Sequence, residues 1–289
     1  MTAYAIICTG SWGDVLNTTP LAAQIKAENP SDIVHWYVAS MYASALEGNP
    51  HIDKVFEINT PDKGQSLGPA TDIARTMVRE SGGYDTVFTP APYMNRFWFS
   101  QQHHIVDCIR LACEETLPRI QWKTPWIPTL NLTPYEVDKT RIWKSALIPA
   151  GKKTAIFEYD AKSGQCQMQA SWIPAICELF GPEWVVVLSG KTPVEVPFHL
   201  QTRVIRPPDL TIRASAELFN QADFMIGVSS GISAACSSTW TLERAKTMPW
   251  IEICNNMLWS GSFYKHAPRQ VYTGGNLGTL LAMVRPLVR

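Results

Sequence analysis

An aspartate at the mouth of a helix is the residue in this chain best placed to meet a ligand. Residues 5–22, AIICTGSWGDVLNTTPLA, run from an apolar stretch through a glycine-bearing loop to Asp14 and a second apolar stretch. In an open α/β sheet that order sets the carboxylate at the C-terminal end of the first buried strand, the edge where such sheets bind ligands. Gly10 and Gly13, flanking Ser11 and Trp12, permit positive φ and let main-chain N–H groups wrap a polar group. The spacing is not the GxGxxG of dinucleotide sites. Asp14 also has a purely structural reading, because an aspartate at a helix start caps N–H groups and meets the positive end of the helix dipole.

A second constellation lies at residues 222–235, ADFMIGVSSGISAA, again a strand, a tight polar turn and a helix start. The hydroxyls of Ser229 and Ser230 and the N–H groups around Gly231 suit phosphate oxygens. A serine N-cap beside a glycine turn accounts for the same residues.

The elements that must carry these loops follow from periodicity and punctuation. Short apolar runs predict strands near 4–8, 33–38, 54–58 and 86–89, separated by helices near 16–28, 42–48, 71–81 and 103–115. Pro20 then falls about one turn inside the first helix, which predicts an irregular start. A proline-rich crossing segment, 118–134, leads to a helix over 135–145 and a break at 149–151. After it the rhythm restarts, with strands near 154–159, 184–189, 203–205, 224–228 and 250–254, helices near 171–180, 212–221 and 232–239, and a final helix over 277–289. Alternation of this kind predicts parallel βαβ units in two halves.

With 289 residues, of which 46% are hydrophobic, the chain can build two modest cores. Its 25 basic and 25 acidic residues cancel, so composition gives no electrostatic case for nucleic acid or an anionic membrane. Seven cysteines without a CxxC pair predict reduced, buried thiols and a cytoplasmic protein. No apolar run reaches the 18 or so residues of a membrane span, and no basic region precedes the first one. Trp12, Trp122, Trp126 and Trp259 fall in expected loops, where packing competes with stacking on a ligand.

Taken together, the two constellations resemble the heptosyltransferases, glycosyltransferase family 9. That family opens with a strand, a Ser-x-Gly-Asp loop, a helix carrying a proline, a strand, and a Pro-x-(Ile/Val)-Asp-x-Val pattern. This chain has Ser11-Trp12-Gly13-Asp14, then Pro20, then HWYV at 35–38, then Pro50-His51-Ile52-Asp53-Lys54-Val55. In the second half, relatives usually read Asp-(Ser/Thr)-Gly-x-x-His after the strand. Here Ser230 and Gly231 are kept, with Ser229 and Ala234 at the acid and histidine positions. Those departures point away from the usual ADP-heptose toward another nucleotide sugar, or toward different side chains on it.

The resemblance implies an α/β protein of GT-B type, two Rossmann-like lobes with parallel sheets facing a central cleft. The lobes are expected at 1–148 for the acceptor and 149–275 for the nucleotide sugar, with 276–289 packing back on the first lobe. It implies an inverting, metal-independent transfer from a nucleotide-diphosphate sugar to an acceptor hydroxyl, without a further cofactor. Asp14 is the implied general base, with Gly10, Ser11, Trp12 and Gly13 around it, and Ser229, Ser230 and Gly231 the implied diphosphate cradle. Lys162 and Lys191, in loops after two strands, are the candidate counter-charges, although solvated surface lysines are commoner. Glu252 suits a ribose contact or an ordinary strand end. Tyr93, Arg96, Trp98 and His103 are the candidate acceptor contacts, since aromatic rings stack on sugars and on bases alike. His103 and His104 diverge by about 100° on a helix and make poor metal co-ligands.

Two acceptors fit: a lipopolysaccharide or other surface glycan, and a hydroxymethylated pyrimidine in DNA, as in phage enzymes. A non-catalytic nucleotide-sugar-binding protein is the reading of another class, suggested by Ser229 and Ala234.

Overall fold

Four apolar runs in the first part of the chain become parallel strands: β1 (Ala3–Ile7), β2 (Ile33–Ala39), β3 (Lys54–Ile58) and β4 (Thr86–Phe88). They lie in the order β3-β2-β1-β4. Ile6, Ile7, Trp36 and Tyr37 are buried on both faces of the sheet, which is why β1 and β2 read as continuous apolar runs without alternation. The structure is a computed structural model that describes residues 1–59, 67–90, 105–117, 122–161, 168–190, 192–207, 210–254, 269–272 and 275–288. Between β1 and β2 run α1 (Trp12–Thr18) and α2 (Pro20–Glu28). A 3-10 turn, Ser40–Ala45, stands where a helix over 42–48 is expected. α3 (Leu67–Ser81) precedes β4 and α4 (Ile105–Thr116) follows it.

A second sheet, also parallel, has the order β10-β9-β8-β5-β6-β7. Its strands are β5 (Lys153–Glu158), β6 (Trp184–Leu188), β7 (Val204–Ile205), β8 (Phe224–Val228), β9 (Trp250–Ile253) and β10 (Arg269–Tyr272). The helices with it are α5 (Pro134–Leu147), α6 (Ile173–Cys177), α7 (Ile212–Asn220), α8 (Gly231–Ala235), α9 (Leu242–Ala245) and α10 (Leu277–Val284). β10 escapes the sequence reading because RQVY offers only two apolar residues.

The chain divides at Leu132, into Met1–Leu132 and Thr133–Arg289, and not at 148 as expected. The physical reason is α5. Trp143 packs on the core that contains Ile148, Phe219, Met225 and Trp250, and Lys144 Nζ donates to the Gln221 carbonyl at 2.5 Å. Thr133 and Glu136 cap this helix with a reciprocal box, Thr133 Oγ1 accepting from the Glu136 N–H and Glu136 Oε2 accepting from the Thr133 N–H. The C-terminal expectation also needs correcting. Leu280, Val284 and Val288 belong to the core with Phe157, Ile253 and Tyr272, so α10 covers its own sheet.

Four acids are accounted for by the sheets themselves. Each stands one residue before a strand and accepts an N–H at the N-terminal end of a neighbouring one. Asp32 takes Thr2 N at 2.7 Å, Asp53 takes Val34 N at 2.7 Å, Asp85 takes Ala3 N at 2.8 Å and Asp223 takes Thr154 N at 2.8 Å. Lys26 Nζ pairs with Asp53 at 2.8 Å. These bonds satisfy N–H groups where the ladders begin, at the N-terminal edge of each sheet. Among the described residues, the acids at or just beyond the C-terminal ends of strands include Asp14, Glu57, Glu158, Asp160 and Glu252.

Cys8, Cys108, Cys113, Cys177, Cys236 and Cys254 are free and buried, while Cys166 lies outside the described residues. Among the described residues no helix is long and apolar enough to cross a membrane.

Candidate active site

In the first unit the chain leaves β1 at Cys8 and enters α1 at Trp12, four residues before the helix start expected at 16. Ser11 is the N-cap, and Asp14 is the third residue of the helix. Asp14 Oδ2 accepts the Ser11 N–H at 3.0 Å and the Ser11 hydroxyl at 2.8 Å, and the Asp14 N–H points back to Ser11 Oγ at 3.5 Å. The capping reading is therefore realised, and it fixes the carboxylate. Asp14 is buried at 7% exposure, next to half-buried Gly13 and exposed Ser11 at the start of α1, whereas Val15, Leu16 and Thr18 retain no exposure.

Gly10 works by close approach. Its φ is not positive, unlike those of Gly48, Gly82, Gly83 and Gly151, and Gly13 lies inside α1, which corrects the expectation of left-handed glycines here. A Cβ on residue 10 would stand 3.0 Å from both Cβ and Oδ2 of Asp14. Trp12 is 6% exposed and its indole N–H donates to Ser44 Oγ at 3.0 Å, so this ring packs.

Pro20 starts α2 as its first residue, so one expected helix becomes two. The Leu16 carbonyl, which proline cannot serve, accepts from the Thr19 N–H at 3.1 Å and the Thr19 hydroxyl at 2.7 Å. The indole N–H of Trp126, whose ring lies 5.6 Å from that of Trp122, donates to the Asn17 carbonyl at 3.2 Å. The charge of Asp14 is felt by its neighbours. Burial pushes the Cys8 thiol up to about 12, with Asp14 adding to it, and Tyr42 is raised by the same two causes.

In the second unit Ser229 extends β8, its N–H donating to the Ile253 carbonyl at 2.9 Å. Ser230 is the N-cap of α8. Its Oγ accepts from Ile232 N at 3.0 Å and Ser233 N at 3.4 Å, and Ser233 Oγ accepts the Ser230 N–H at 2.8 Å. The Ser230 hydroxyl also hydrogen-bonds the carboxyl of Glu158. A serine has one hydroxyl hydrogen, and with its oxygen occupied by the cap that hydrogen goes to Glu158. Ser230 thus shapes the turn between β8 and α8.

Glu252 is 0% exposed and in register with Gly227 on the neighbouring strand. Ala234 is buried in α8 at 2% exposure. Glu158, 1% exposed at the end of KTAIFE, is the residue that sequence reasoning missed, although one acid closing an otherwise buried strand was a visible signal. Lys162, Lys191, Tyr93, Arg96, Trp98 and His103 lie outside the described residues.

Comparison of the whole chain with solved structures decides the architecture. Over 100% of this chain and 92% of the other, it superposes on a glycosyl transferase family 9 protein from Veillonella parvula, with a TM-score of 0.70 at 13% identity. The fold is GT-B. E. coli ADP-heptose lps heptosyltransferase II shares it over 100% of this chain and 98% of its own, with a TM-score of 0.66 and 13% identity. An E. coli heptosyltransferase solved with ADP-2-deoxy-2-fluoro heptose shares it over 99% of both chains, with a TM-score of 0.60 and 16% identity. No protein-family profile matches the sequence, and no curated protein does. The GT-B resemblance carried by Ser11, Gly13, Asp14, Pro20 and Asp53 is thus a resemblance of the whole fold.

Proposed function

We propose that the protein is a glycosyltransferase that moves a sugar from a nucleoside-diphosphate donor to an acceptor hydroxyl, with inversion and without a metal. The observation that carries this reading is Asp14, fixed by Ser11 at the C-terminal edge of β1 in a GT-B fold. In the proposed step the acceptor O–H gives its proton to Asp14 as its oxygen bonds the anomeric carbon. The bond from that carbon to the diphosphate oxygen breaks, and the nucleoside diphosphate leaves with the electron pair. Ser11 holds Oδ2, so the carboxylate meets the acceptor in one orientation. The N-terminal turn of α1 favours the negative charge that a base requires.

The second unit takes the donor in this reading. Ser229 and the Gly231 N–H meet the diphosphate, Ser230 holds their turn, and Lys162 and Lys191 supply counter-charge. Tyr93, Arg96, Trp98 and His103 are assigned to the acceptor. A surface glycan of the lipopolysaccharide kind is the assigned acceptor class, supported by the likeness to E. coli ADP-heptose lps heptosyltransferase II and by the balanced charge of this chain, which offers DNA phosphates no net attraction.

The test is donor turnover. The protein is incubated with ADP-heptose, ADP-glucose, UDP-glucose and GDP-mannose, and release of nucleoside diphosphate is measured with and without lipopolysaccharide core acceptor. Release from one donor that rises with the acceptor supports the reading. Binding without release from any of the four points to the non-catalytic alternative.

A further inference from the structure

β5, β8 and β9 set Glu158, Gly227 and Glu252 in one cross-strand row at the C-terminal end of the second sheet. Residues paired across a parallel ladder share a face. Two positions earlier the corresponding row is Ile156, Met225 and Trp250, all in one apolar core. Both glutamates therefore point to the side of the sheet that this core fills. They are 1% and 0% exposed.

Gly227 leaves the space between them open. A Cβ on residue 227 would stand 2.7 Å from Met225 Cε and 3.5 Å from Glu158 Oε2. The Ser230 hydroxyl and the Val228 N–H hydrogen-bond the Glu158 carboxyl, while its Oε2 has no partner among the described residues. The groups facing Glu158 are Glu252 from β9, Asp160 beyond the end of β5, and Cys236 at the end of α8. None of these is basic. An ionised carboxylate at this depth, with no cation among the described residues that face it and one oxygen unpartnered among them, is costly, whereas a neutral carboxyl keeps its hydrogen bonds at little cost. Burial, reinforced by Asp160 and Glu252, raises Glu158 to about 8.

We infer that Glu158 is a positioning residue of the donor site and acts in its protonated form, fixing Ser230 and the first turn of α8 without setting a negative charge beneath the nucleoside diphosphate. The inference rests on the proposed function. It adds that donor binding is coupled to a proton. When Glu158 is ionised, an arriving diphosphate must either bind weakly or restore that proton.

Isothermal titration of the full chain with ADP, UDP and GDP, at pH 7 and pH 9 and in two buffers of different ionisation enthalpy, reads both effects. For the wild type, affinity falls about tenfold from pH 7 to pH 9, and binding at pH 9 takes up about one proton. Glu158→Gln keeps the shape of the carboxyl and loses both effects. A second variant, Glu252→Gln, keeps Glu158 but removes the neighbouring acid that raises it, so its fall in affinity begins at lower pH. Equal pH profiles and equal proton uptake in the wild type and Glu158→Gln, or an unmoved profile in Glu252→Gln should the first variant not fold, overturn the inference alone. Failure of the wild type to bind any of the three nucleotides overturns the donor-site reading and the inference with it.

Discussion

Arg213 and Glu136, 77 residues apart in sequence, form a two-pronged ion pair, with Nε on Oε1 at 2.5 Å and Nη2 on Oε2 at 2.8 Å. Arg213 is buried at 4% exposure, and the pair joins α5 to α7. Parallel N–H···O bonds of this kind are the strongest that side chains make. The pair explains why α5 belongs to the second unit even though it precedes the break at Pro149.

The same pair sets a pH limit on stability. The Arg213 guanidinium, followed by the Thr133 bonds, holds Glu136 down at about 2. A carboxylate depressed in the fold stabilises it above the unfolded value of about 4.5, and that contribution disappears as pH falls toward 2. Glu136→Gln should lower stability by roughly 2–3 kcal/mol at pH 7 and by far less near pH 2. Urea unfolding of both proteins at the two pH values checks this.

Glu158 acts with the opposite sign. Raised to about 8 in the fold, it stays neutral while the unfolded chain ionises above about 4.5. The unfolded state therefore gains on the fold as pH rises from about 4.5 to 8, and the difference is constant above that. Glu158→Gln removes this slope. Its melting temperature should exceed that of the wild type by about 5 °C or more at pH 8, with the gap closing toward pH 5. Calorimetry over pH 5–9 tests it.

Gly10 sits against the proposed base, so filling its space should reduce activity more than stability. Gly10→Ala places a methyl 3.0 Å from Asp14 Oδ2 and must displace the carboxylate by a few tenths of an ångström. We expect kcat/KM to fall about tenfold or more, with unfolding free energy changed by no more than about 1 kcal/mol. Steady-state kinetics beside urea unfolding separates the two.

Much of the fold was legible because continuous apolar runs in a parallel sheet are hard to read as anything else. AYAII, IVHWYVA, WVVVL and FMIGV all became strands. What escaped depended on tertiary partners. Nothing local says that Trp143 packs on the core that contains Trp250, or that Leu280 lies under its own sheet, so the boundary and the last helix were misplaced. At the candidate site, Asp14 and Ser11 were legible from adjacent residues. The role of Ser230 was not, because its hydrogen is claimed by Glu158 from a strand 72 positions earlier in the chain. Asp53 and Asp223, prominent in the motifs, hold strand ends.

The most direct measurement on the central claim compares wild type and Asp14→Asn in release of nucleoside diphosphate from the donor that the wild type turns over. Asparagine keeps the N-cap geometry with Ser11 but takes up no proton, so kcat should fall by about 10²–10⁴ while donor affinity and melting temperature stay close to wild type. An Asp14→Asn protein that transfers sugar at the wild-type rate would contradict the account.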